Sequence, residues 1–86
     1  MEWKFDNYCV ICGSPRIQWH HVFMGTANRR VSDRHGYVIP LCVEHHTGIH
    51  RNREMSLYWM RKAQTHYEHN KGTREDFIRE FGRSWL

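Results

Sequence analysis

Long apolar runs are missing from this sequence, and so are internal repeats, low-complexity tracts and a closed set of disulfide partners. No stretch is apolar and long enough for a membrane span or a signal-peptide core, so no membrane partner is expected. The expected compartment is the cytoplasm. Three cysteines cannot close a disulfide framework, and in a reducing compartment they read as metal ligands or buried thiols. Acidic residues are in the minority, nine against 13 Lys plus Arg, which leaves a formal charge of +4. That balance suits a polyanionic partner without demanding one. Eighty-six residues point to a single domain over 1–86. A core of that size commonly needs a metal or disulfides to hold it.

Histidine, by contrast, is abundant: eight residues in so short a chain. Six of them, with all three cysteines, precede residue 53. This first part is rich in turn residues and β-formers. "RIQWHHVF", Arg16 to Phe23, reads as a strand, and "YVIP", Tyr37 to Pro40, as a second strand that Pro40 ends. Between them "MGTANRRVSDRHG" reads as a polar, basic loop with glycine near both ends. "CVEHHTGIH" reads as a short helix. From about residue 53 the pattern is helical. Met55, Trp59, Ala63 and Tyr67 recur at steps of four, a single apolar stripe that Asn70 and Gly72 end. Thr73 then caps a last helix, with Asp76 completing a capping box and Phe77, Ile78 and Phe81 as its apolar face. Trp3, Trp85 and Leu86 are left either to pack together or to form a partner surface.

"CVICG" has the form of a zinc knuckle, in which two thiolates two residues apart grip one ion from a tight turn and Gly13 lets the backbone approach the sulfurs. Cys42 and His45, three residues apart on the short helix, share a face and complete a Cys3His set, a common structural zinc site. A two-Cys, two-His finger using His46 and His50 is excluded by spacing, because such fingers separate the two pairs by about a dozen residues. The gap here is far longer.

Successive helical residues point about 100° apart. If His45 faces the zinc, His46 faces elsewhere, and His46 with His50 can hold a second ion from one helix face. A further ligand is expected from "WHHVF". Side chains alternate along a strand, so only one of His20 and His21 can point at that ion.

The pattern C-x2-C…HH…PLC-x2-HH-x3-H resembles the HNH, or ββα-metal, endonuclease superfamily, and more narrowly the small phage-encoded HNH proteins related to recombination-enhancement nucleases. The matching motifs run from Cys9 to His50, and "HHVFMGTANRR", "PLC" and "FGRSWL" extend the likeness toward the small phage group. The resemblance implies an α+β fold: a treble-clef-like, zinc-stabilised ββα-metal module over residues 1–52, with a β-hairpin and a short metal-binding helix, followed by two C-terminal helices over 53–86.

It also implies chemistry. His20, His46 and His50 would hold a catalytic divalent metal, His21 would be the general base, and Cys9, Cys12, Cys42 and His45 would hold structural zinc. The expected activity is endonucleolytic hydrolysis of nucleic-acid phosphodiester bonds, with DNA the expected substrate and 5′-phosphate products. Imidazole ligands favour zinc, nickel, cobalt or manganese, while related enzymes also use magnesium. Arg29, Arg30 and Arg34, between the strands, are candidate phosphate contacts, and Arg51 and Arg53 are further ones. One position departs from the superfamily. Where the middle asparagine orients the base, this chain has Tyr37, leaving its backbone carbonyl, His35 or Asn28 for that role. The rival expectation is a non-catalytic zinc module that binds nucleic acid or protein. Either could serve as an accessory subunit of a phage recombination or packaging complex in a bacterial host.

Overall fold

Two short runs of β-formers, Gln18–His21 (β1) and Val38–Leu41 (β2), pair antiparallel in the computed structural model, which describes residues 2–24 and 26–86. The register sets Gln18 opposite Leu41, Trp19 opposite Pro40, His20 opposite Ile39 and His21 opposite Val38. Pro40 does not end the strand. A proline is tolerated there because a two-stranded sheet leaves one side of each strand without a ladder partner. Its carbonyl still accepts from the Val10 N–H at 3.0 Å, tying the N-terminal turn to β2.

The segment expected as a loop between the strands is instead a helix, Thr26–His35 (α1). Its sequence is almost wholly polar, so no apolar stripe announced it. What holds it is tertiary. Val31 is half-buried, and Ser32, fully buried, accepts the Phe23 N–H with its hydroxyl at 3.2 Å. Gly36, at φ +71°, ends the helix: the Gly36 N–H donates to the Asp33 carbonyl and the Tyr37 N–H to the Ser32 carbonyl, the paired bonds of a Schellman stop.

Helix α2 (Val43–Ile49) follows β2 directly, with Cys42 at its N-cap and His50 at its C-cap. Helix α3 (Arg53–Asn70) is capped by the Asn52 side chain, which accepts the Met55 N–H at 3.0 Å. Its expected stripe is inward: Trp59, Ala63 and Tyr67 are buried and Met55 half-buried. Helix α4 (Arg74–Phe81) has the expected Thr73/Asp76 capping box. Phe77 and Phe81 are buried, but Ile78 is exposed, a correction to the expected apolar face that follows from its place one residue, about 100°, away from Phe77.

The two sequence halves build one core. Phe23 and Phe81 lie with ring centroids 4.5 Å apart, and Phe77 stacks on Phe81 at 4.4 Å. Trp3 does not meet Trp85: it packs edge-on against Phe5, Tyr37 and Trp59, while Trp85 packs on the core elsewhere and Leu86 is exposed. No helix among the described residues is long and apolar enough to cross a membrane.

Glu80 joins three helices. It accepts the Tyr67 hydroxyl at 2.5 Å and His35 Nε2 at 2.9 Å, and Arg34 lies 3.6 Å away. Burial raises the Glu80 pKa, but those hydrogen bonds and the positive charge of Arg34 outweigh it and hold the carboxyl below its usual range. A carboxyl with a depressed folded pKa contributes stability above its unfolded value, and that contribution is lost as pH falls through the folded value. Glu80→Gln should therefore cost about 1–3 kcal/mol at pH 7. The gap from wild type should hold steady down to about pH 5 and close only in stronger acid. Urea titrations of the zinc-loaded protein at stepped pH check this.

Candidate functional site

The first candidate centre is assembled from a turn and a helix start. The Cys9 N–H donates to the Ser14 carbonyl at 2.9 Å and the Gly13 N–H to the Cys9 carbonyl at 2.8 Å, with Gly13 at φ +76°, so the knuckle closes as its sequence implies. Cys42 sits at the α2 N-cap in extended conformation and its side chain makes no cap bond. Its sulfur faces the knuckle instead. Cys42 Sγ is 3.8 Å from Cys12 Sγ and 3.2 Å from His45 Nδ1, and Cys9 Sγ is 3.6 Å from the same nitrogen.

All three cysteines are free thiols. A tetrahedral zinc with bonds of about 2.3 Å to sulfur and about 2.0 Å to nitrogen spaces S···S pairs at about 3.8 Å and S···N pairs at about 3.5 Å. The donor set and its spacing fit zinc. Burial pushes the Cys9 thiol up, but the N–H groups of Cys42, Cys12 and Ile11 pull harder and bring it down to about 6, favouring the thiolate a metal needs. At Cys12 the Ser14 N–H lowers the pKa, while burial and the neighbouring thiols raise it to a net increase. Losing a proton there costs more until a cation offsets the charge.

The second cluster lies on the other side of α2. His20, His46 and His50 present ligand nitrogens within 4.8 Å of one another. Their ring centroids form a near-equilateral triangle, at 5.2, 5.3 and 5.5 Å. Imidazoles on one tetrahedral ion stand with centroids about 5.2 Å apart when each metal–nitrogen bond is about 2.0–2.1 Å. The rings are thus spaced as for a shared ion. Alternation along β1 decides that His20, not His21, is the strand member. Burial, followed by the charges of His46 and His50, drives the His20 pKa down to about 4. Burial and His50 lower that of His46 as well. Neutral imidazoles with free lone pairs are what a cation requires.

Gln18 was not foreseen. It points the same way as His20, two residues along β1, and its Oε1 accepts from His46 Nδ1 at 2.6 Å. That fixes the His46 tautomer and leaves Nε2 for an ion. The alternation that separates His20 from His21 also puts Gln18 on the helix side.

His21 takes the opposite face, yet it lines the same cleft. A cavity of about 420 Å³ is bounded by Trp19, His20, His21, Met24, Arg29, His46 and His50. His21 Nε2 lies 2.7 Å from Asp33 Oδ1. A carboxylate only accepts, so Nε2 carries the proton and Nδ1 keeps the lone pair in the neutral ring. None of the groups expected to orient His21 does so. The Tyr37 carbonyl accepts the Val22 N–H and its hydroxyl is buried against His66 Nδ1 at 3.0 Å. His35 is engaged by Glu80 and Lys71, and Asn28 has no hydrogen bond to His21 among the described residues. Asp33 carries no signal of its own in a segment whose polar sequence reads as a loop. Of the three arginines there, Arg29 lines the cleft, Arg30 is exposed, and Arg34 is drawn toward Glu80.

A family model described as "Protein of unknown function (DUF968)" matches residues 1–81. Over 61 residues the chain is 31% identical to a protein of Sarcophyton glaucum described as "Mitochondrial DNA mismatch repair protein mutS homolog". That match covers 66% of this chain and only 6% of the relative. No solved structure matches.

Two variants separate the clusters. Cys42→Ser should strip tightly bound zinc and lower the melting temperature sharply, because zinc bound at a structural site is folding free energy. His50→Ala should retain one zinc per chain and melt within a few degrees of wild type. Elemental analysis with thermal melts reads both, and equal zinc loss would mean one shared site.

Proposed function

We propose that this chain, which belongs to the DUF968 family, is a metal-dependent endonuclease of the ββα-metal (HNH) kind that hydrolyses phosphodiester bonds in nucleic acid, with DNA as its substrate. One observation carries this: an incomplete three-histidine cluster stands beside a complete Cys3His set, and a further histidine, His21, opens onto the same cleft with a carboxylate at 2.7 Å. A structural zinc site is closed by four ligands, whereas a catalytic one keeps a position open. A pure binding module has no use for the second set. The relative from Sarcophyton glaucum is by name a DNA mismatch repair protein, which favours DNA as the polymer.

The roles follow from the side chains. His20, His46 and His50 would hold the divalent ion, with Gln18 keeping His46 in the required tautomer. Bound there, the ion would supply Lewis-acid charge to a phosphate oxygen and to the leaving oxygen. His21 Nδ1 takes the proton from the water that attacks phosphorus. Asp33 holds the Nε2–H, keeps the ring aimed into the cleft and stabilises the imidazolium that forms, so a carboxylate does the work that asparagine does elsewhere in the superfamily. Arg29, on the wall of the cleft, is placed to grip a phosphate beside the cut.

Plasmid and oligonucleotide cleavage with magnesium, manganese, cobalt, nickel and zinc tests the proposal. His21→Ala should lower turnover by about 10²–10⁴-fold with its metal content unchanged. Asp33→Ala should lower turnover too, by less than His21→Ala because the base itself remains, and Asp33→Asn should recover part of that loss. Wild-type rates in His21→Ala would remove His21 as the base, and no cleavage by wild type with any metal would favour the binding module.

A further inference from the structure

A second cavity, of about 410 Å³, adjoins the first. Met24 and His50 line both, so the two cavities are neighbours that share those side chains, and the second is a groove beside the three-histidine cluster. The exposed Arg51, Arg53 and Arg83 line this second cavity, its floor is built on the buried Ile49 and Met60, and the partly exposed Trp85 forms a wall. We infer that this groove seats the nucleotide flanking the scissile bond, with the three arginines on its phosphates and the apolar floor against its sugar and base; this rests on the nuclease reading of the three-histidine site.

Charge bookkeeping across the surface supports the assignment. Arg74 and Arg79 pair with Glu68 and Asp76, and Arg34 with Glu80. Among the described residues, Arg51, Arg53 and Arg83 have no carboxylate within ion-pair distance, as is also true of Arg16, Arg29, Arg30 and Arg61; what sets the three apart is that they gather around one cavity. Unpaired cations gathered around an apolar floor match the two halves of a nucleotide, the anionic phosphodiester and the flat, weakly polar base and sugar.

The far wall is also built rather than loose. Gln64, fully buried on α3, accepts the Trp85 N–H at 2.7 Å and donates to Ser84 Oγ at 2.9 Å. Arg61 Nε donates to the Trp85 carbonyl at 2.9 Å. Arg83 lies over the Trp85 ring, 4.1 Å from its centroid, so cation and ring are presented together. A wall set in advance spares the ordering cost that a free tail would incur on binding.

The experiment is fluorescence anisotropy on the full, zinc-loaded chain carrying His21→Ala to stop cutting. The probes are a fluorescein-labelled 20-mer DNA duplex and the RNA duplex of the same sequence. The triple variant Arg51→Gln/Arg53→Gln/Arg83→Gln should weaken binding of the preferred probe about 10–100-fold at low salt and flatten the slope of log K against log salt by about three. Trp85→Leu should weaken it by about 5–30-fold, with Trp85→Phe between it and wild type. Arg74→Gln/Arg79→Gln, on α4, should bind as wild type, and zinc content with thermal melts confirms that each variant is folded.

No binding of either probe, or a triple variant with wild-type affinity and salt slope, overturns the inference. Cleavage by the otherwise wild-type chain is measured alongside. Cleavage with arginine-independent binding sinks the groove alone. Arginine-dependent binding without cleavage sinks the nuclease reading and leaves the groove as a binding site.

Discussion

The rest of the structure depends on a single rotation of about 100° between His45 and His46 on α2. That turn sends Cys42 and His45 to the knuckle and His46 and His50 to the strand, so a helix of seven residues belongs to both ligand clusters. The helix is short and contains Gly48, and by itself it would be marginal. The buried Ile49 and the hydrogen bond of His46 to Gln18 tie it to the rest of the molecule instead. A metal at the cysteine end would lock the helix axis, and with it the direction in which the other two histidines point.

The two clusters differ in electrostatic character as well as in ligand count. The cysteine set is shaped by backbone N–H groups that pull Cys9 toward the thiolate, an arrangement that suits permanent occupancy. In the histidine set, burial acts on His20 above all and keeps it neutral down to about pH 4, and it lowers the His46 pKa as well. Protons therefore compete less for the nitrogens of His20 and His46, and the cleft that holds them is also lined by His21 and Arg29. Closure in one place and openness in the other is the contrast on which the proposed chemistry stands.

The C-terminal helices act on the site from behind. Glu80 on α4 holds His35 at the end of α1, and Ser32 pins the middle of α1 to Phe23. Asp33 lies between those two anchors, so its approach to His21 depends on packing contributed by the second half of the chain. The same half folds its last residues over Gln64 and places Trp85 in the lining of the second cavity. What reads in the sequence as a helical appendage shares the core through Phe77 and Phe81 and carries much of the lining of the second cavity.

The two groups of side chains that could hold a metal were legible in the sequence because metal chemistry restricts both residue type and spacing. C-x2-C-G, C-x2-H and H-x3-H are geometric statements about turns and helices, and the strand alternation that admits only one of His20 and His21 is another. The α3 stripe and the α4 capping box were legible for the same reason, since each is a local periodicity or a local hydrogen-bond pair. Helix α1 was not legible: its polar sequence has no periodic apolar face, and it is held by Ser32 against Phe23 and by Glu80 from α4. With α1 went Asp33 as the partner of His21, and the commitment of His35 and Arg34 to Glu80. The sequence by itself determined which atoms could meet an ion, because that follows from local backbone geometry. The tertiary structure alone decided which carboxylate meets His21 and which arginines stay unpaired along the groove, because those contacts join residues whose separation in the chain carries no periodicity to read.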